Sequence, residues 1–155
     1  MYRKITLAAS TLALFALAGT ASAYSFTPTK TSFAATGTLM LTAVGDTISC
    51  KTKLSGKTGA KGMASITSAT FSGSSPICAL ITPTDFPWKT TAKSATTATI
   101  MNAAVSGAGN TCGPSKVTIT VSSGGAFTFN NATLSGGCSI DGTLQTSPVI
   151  TITNP

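Results

Sequence analysis

The sequence predicts an all-β fold, a disulfide-stapled β-sandwich or barrel-like structure with signs of two similar halves. Three observations carry this. Short runs in which apolar and polar residues alternate recur about every ten residues and are parted by glycine turns. Thr, Ser, Ala, Gly and β-branched apolar residues dominate the chain, which favours strands, and no segment shows a convincing helical period. Four cysteines occur in a chain without histidine, a pattern of disulfides rather than of a metal site.

The first 23 residues read as a secretory signal. Tyr2-Arg3-Lys4 is charged, residues 5–18 are uncharged and rich in Ala and Leu, and Ala21 and Ala23 stand in the A-x-A positions that a signal peptidase reads. The apolar run is shorter than the roughly 20 residues that span a bilayer. Residues 24–155 then form a single all-β domain, exported to the periplasm, the cell surface or the medium, with no transmembrane segment after cleavage. Export to an oxidising compartment agrees with the cysteines.

This domain starts extended at Tyr24-Ser-Phe-Thr-Pro28, with Tyr24 and Phe26 on one face. Strands follow at 38–44, 47–54 and 63–71. Gly45-Asp46 is a turn, and 55–62, with its three glycines, is a loop. Ile48, Cys50, Thr52 and Leu54 share a face. Residues 89–93 and 97–105 are further strands, and 106–114 is a glycine-rich loop that holds Cys112. Residues 116–121 and 126–130 pair across Ser122-Ser-Gly-Gly125. Asp141-Gly142 is a turn signal, and 143–146 and 149–153 complete the set.

Charge narrows the function. Residues 24–155 carry eight lysines and three aspartates, and no Glu, His or Arg. General bases and oxyanion clamps are therefore scarce, so the chain reads as no enzyme, with no catalytic residues. No cysteine pair has C-x-x-C spacing, so neither a metal nor a cofactor is implied. Lys51, Lys53, Lys57 and Lys61 cluster in sequence, but without interleaved aromatics they read as a solvated face, not a nucleic-acid site. Asp46 and Asp141 sit beside glycines as turn residues, and Asp85, between Pro83 and Pro87, reads as a turn cap. Asn131-Ala132-Thr133 matches the glycosylation acceptor, a chance match behind a bacterial-type signal.

Two segments look alike. Ser68-Ala-Thr-Phe-Ser-Gly73 precedes Cys78, and Asn131-Ala-Thr-Leu-Ser-Gly136 precedes Cys138; Cys50 and Cys112 stand at matching points before them. Of the three pairings that four cysteines allow, the repeat favours Cys50–Cys78 and Cys112–Cys138, one bridge per half. Between the halves lies Cys78-Ala-Leu-Ile-Thr-Pro-Thr-Asp-Phe-Pro-Trp88, with the single tryptophan. Trp88 reads first as core near a disulfide. Phe86 and Trp88 are also the one place where the sequence suggests an exposed hydrophobic contact.

That stretch, with Thr111-Cys-Gly-Pro114, Ala132-Thr-Leu-Ser-Gly-Gly-Cys138 and Gly142-Thr-Leu-Gln-Thr-Ser-Pro148, resembles the alkane-oxidation protein activator (PraB-type) family. The resemblance covers nearly all of the exported chain. It implies a small secreted, non-enzymatic accessory protein, linked to growth on hydrocarbons and to adhesion and biofilm at the cell surface; it assigns no binding residues. Three expectations follow. The first is a surface or matrix protein that self-associates or adheres to hydrophobic surfaces. The second is a carrier or binding module for an apolar small molecule such as an alkane. The third is a pilin-like subunit assembled by strand donation, with residues 24–36 as donor.

Overall fold

The computed structural model describes residues 23–154. The signal segment falls outside them, Ala23 apart. Among the described residues, eleven strands and one short 3-10 turn run in order. The strands are β1 (Ser25–Thr27), β2 (Ser32–Ala43), β3 (Asp46–Thr58), β4 (Met63–Ser72), β5 (Thr82–Thr84), β6 (Trp88–Ala92), β7 (Thr97–Gly107), β8 (Asn110–Val121), β9 (Ala126–Leu134), β10 (Cys138–Ser147) and β11 (Thr151–Thr153). The 3-10 turn, Cys78–Leu80, lies between β4 and β5. It is the only helical turn among them.

Eight of these strands close an antiparallel barrel. Each pairs with the next along the chain, β2 to β3, β4, β6, β7, β8, β9 and β10, and β10 returns to β2. This is an up-and-down barrel, the outcome that the sequence left beside a sandwich. The period of two explains it. On β3, residues 50, 52, 54, 56 and 58 are buried while 47, 49, 51, 53 and 57 are exposed. The buried set faces the interior with Leu39, Ile66, Ile100, Ile119, Phe127 and Leu144. The outer face carries hydroxyls and lysines, including the bonded pairs Thr42–Thr47 and Thr128–Thr143. Bilayer-spanning barrels show the reverse, apolar outside and polar within.

The halves correspond strand for strand. One is the meander β2-β3-β4-β6, the other β7-β8-β9-β10. The A-T-[FL]-S-G motif ends the third strand of each, at β4 and at β9. In each half a disulfide links the second strand to the segment after the third: Cys50–Cys78 and Cys112–Cys138.

Several glycines that read as turns lie inside strands instead. β3 continues through Gly56 to Thr58, with a bulge at Ser55/Gly56. A Cβ on Gly56 would collide with the Ser65 carbonyl of β4. β10 runs through Asp141-Gly142 with a bulge between Ile140 and Gly142, and the Asp141 carboxylate accepts the Asn131 N–H at 3.0 Å. The expected loop at 106–114 shrinks to the β7–β8 turn, so Cys112 is a strand residue. In these places glycine lets one backbone approach another or absorb a bulge, rather than reverse the chain.

The barrel's two ends differ. At the base, where β3 meets β4 and β8 meets β9, β1 and β11 pair as a separate ribbon, with Phe26 opposite Ile152. Phe26 and Ile150 are fully buried. The ribbon is tied to the base turns. Thr58 donates to the Pro28 carbonyl at 2.7 Å and accepts from the Thr31 N–H at 3.0 Å. Thr146 donates to the Gly125 carbonyl at 2.7 Å and accepts from the Ile150 N–H at 2.9 Å. At the other end no such ribbon crosses the described residues.

Candidate functional site at the mouth of the barrel

The open end is built by the β2–β3 and β7–β8 hairpin tips, the β9–β10 turn and the segment around the 3-10 turn. Burial changes sharply with height along the inward-facing register. Leu39 pairs with Cys50, and both are buried. One step higher, Leu41 pairs with Ile48 on one side and Ile140 on the other, and all three are only half-buried. Above these, Ala43 pairs with Asp46. The interior is thus filled to the level of Leu39 and Cys50. Aliphatic side chains above that level face open space.

That space is a cavity of about 200 Å³. Its apolar walls come from Leu41, Ile48, Val105, Leu134 and Ile140, with the Cys112–Cys138 bridge and with Ile77 and Ile81 from the segment beside the 3-10 turn. Asp46 and Asn110, on the inward register near the hairpin tips, stand at its rim, and Ser106 and Ser139 of the outward register adjoin it. The size exceeds the roughly 150 Å³ apolar cavity known to take up benzene. Apolar walls with a few polar groups at the opening are the usual make-up of a small-molecule site.

The stretch 78–88 helps form this mouth. β6 begins only at Trp88, while β4 runs on to Ser72 and β7 to Gly107. The wall would gape there. Cys78, tied to Cys50, and the strand β5, paired to β7 through Thr82–Ser106 and Thr84–Ala104, occupy the place where β6 is missing. Asp85 turns the chain in a left-handed conformation (φ 62°) that Asp tolerates, and Thr84 donates to its carboxylate at 3.2 Å. The chain then enters the barrel at Trp88.

Phe86 and Trp88 are not part of the cavity wall. Trp88 is buried, its indole N–H donates to the Thr84 carbonyl at 2.7 Å, and Phe86 stacks on it with ring centroids 4.7 Å apart. The exposed large apolar side chains of this end are others: Val44 at 70%, Leu80 at 60% and Ile77 at 39%. Sequence reasoning passed over Leu41, Ile48, Val105 and Ile140. Their signal was present: the inward alternation continues past the disulfide level to the hairpin tips, where nothing in the chain is assigned to cover it.

The apolar cavity thus lies at the mouth of a barrel stapled by two disulfides. The model of the alkane oxidation protein activator family, PraA/PraB-like, matches residues 1–154. The chain belongs to this family. Membership connects it with the activation of alkane oxidation. No curated protein and no solved structure is detectably similar to the chain. Among the described residues, no three His, Cys, Asp or Glu side chains group as they would around a metal ion. No described helix is long and apolar enough to cross a membrane.

Proposed function

We propose that this protein is an exported, non-enzymatic carrier that holds the end of an alkane-type chain in the mouth of its barrel, in support of alkane oxidation. The half-buried aliphatic ring of Leu41, Ile48, Val105 and Ile140 around an apolar cavity carries this reading. Two disulfides and the signal-like N-terminus support export. Each buried CH₂ contributes about 0.8 kcal/mol, so a chain end of six to eight carbons gives about 5 to 6 kcal/mol before ordering costs. With those costs subtracted, dissociation constants are no tighter than about 0.1 mM.

The test is uptake of octane into water by the purified protein. The expected result is saturable uptake of one molecule per barrel. Val105→Asp and Ile140→Asp, which place a charge in the wall, should cut it at least tenfold while near-ultraviolet circular dichroism stays unchanged. No saturable uptake, or full uptake by both variants, contradicts the proposal.

A second reading, adhesion to apolar surfaces, draws on the collar of Val44, Ile77 and Leu80 around the mouth. Its measure is retention on polystyrene by the Val44→Ser/Leu80→Ser variant, expected to fall severalfold. Self-association through free sheet edges loses its main motive, because the eight barrel strands pair all the way round. Strand donation meets a similar obstacle. The donor segment 24–36 is engaged within its own chain, as β1 on β11 and as the start of β2.

A further inference from the structure

Among the described residues lining the mouth there is one charge, and it is negative. Asp46 continues the inward-facing line of Cys50 and Ile48 and pairs with Ala43 at the tip of the β2–β3 hairpin. Its carboxylate is exposed at the rim, and none of the residues lining the cavity with it is a cation. The lysines of the same strand, Lys51, Lys53 and Lys57, stand on the outward register. Of the other polar lining residues, Asn110 shares the inward register of Cys112, is neutral and can both donate and accept hydrogen bonds, whereas Ser106 and Ser139 stand on the outward register.

Resting on the carrier reading above, we propose that this rim selects among chains by their head group: it accepts alkanes and primary alkanols and rejects alkanoates. A hydroxyl head at the rim donates to Asp46 and accepts from the Asn110 side-chain amide. A carboxylate head places like charges together beside low-dielectric walls, where repulsion is stronger than in bulk water. Stepwise oxidation of a terminal methyl group passes through the alcohol and ends at the acid. The mouth therefore holds the reduced forms and releases the fully oxidised one.

The experiment uses the whole exported chain and displacement of the neutral fluorophore N-phenyl-1-naphthylamine by 1-octanol and by octanoate, at neutral pH and low salt. The expected result is that octanol displaces the probe at least fivefold more tightly than octanoate. Asp46→Asn should bring the two within about twofold by improving octanoate, and high salt should narrow the gap in the unaltered chain, because screening weakens an exposed charge. An unchanged octanol-to-octanoate ratio in Asp46→Asn, or a preference for octanoate, overturns the selection. Failure of the carrier reading looks different: octane, octanol and octanoate would all leave the bound probe in place.

Discussion

The two ends of the barrel are made by the same eight strands with the same alternation, yet one is sealed and the other open. At the base, the β1–β11 ribbon lays Phe26 and Ile152 across the strand ends, Ile150 is buried just before β11, and Phe33 meets Phe127 edge-on at 5.9 Å. At the mouth, the segment from Ile77 to Thr84 mends the gap above β6 but leaves the interior uncovered. Both disulfides lie toward this end. A sealed end is held by its own packing. An open end lacks that packing, and covalent bridges hold its strand ends together without filling the space between them. Charge divides along the same axis: Lys30, Lys61 and Lys93 belong to the base turns, while Asp46 stands at the mouth.

This contrast can be broken from either side, and the largest effect belongs to the base. Phe26→Ala empties a fully buried position and should lower unfolding free energy by about 3 to 5 kcal/mol in urea titration. The folded fraction should still take up octane, because the cavity is at the other end. Next is the mouth bridge. Replacing Cys112 and Cys138 together by Ala releases a 26-residue separation and should cost about 3 to 4 kcal/mol in the chain-entropy model. Here, unlike at Phe26, octane uptake should fall in the protein that remains folded, since both cysteines line the cavity.

A smaller effect should follow from Thr58→Val, which removes the hydroxyl joining Pro28 and Thr31 to the base. Loss of about 1 to 3 kcal/mol is expected from unmet buried backbone groups, with hydrogen exchange rising first around Thr31. The smallest should be Val44→Ser at the mouth collar, within about 0.5 kcal/mol of the unaltered protein. Trp88 gives a spectroscopic form of the same contrast. Because it lies outside the cavity wall, octane should leave its emission maximum nearly unchanged, whereas a tryptophan introduced by Ile81→Trp should respond.

Much of the fold was legible in the sequence. Strand alternation gave an all-β chain, and the matching A-T-[FL]-S-G segments placed one bridge in each half. Closure into a barrel was not legible, because it depends on β10 returning to β2, a pairing between strands a hundred residues apart that period-two patterning does not encode. Gly56, Gly113 and Gly142 misled for a physical reason. Composition marks them as turn residues, but each is needed where a neighbouring carbonyl, of Ser65, Ala103 or Thr38, leaves no room for a Cβ. The site was the least legible part. Rarity drew attention to Phe86 and Trp88, whereas the cavity is lined by ordinary Leu, Ile and Val, whose role depends on height in the barrel rather than on identity.

The account turns on where an apolar chain sits. Photo-cross-linking with an octyl chain carrying a terminal diazirine, followed by peptide mapping, locates it directly. The account predicts adducts on Leu41, Ile48, Ile77, Val105 and Ile140, suppressed by excess octane. Adducts concentrated on Phe26 and Ile150, or on Phe86, or scattered without competition by octane, would contradict it.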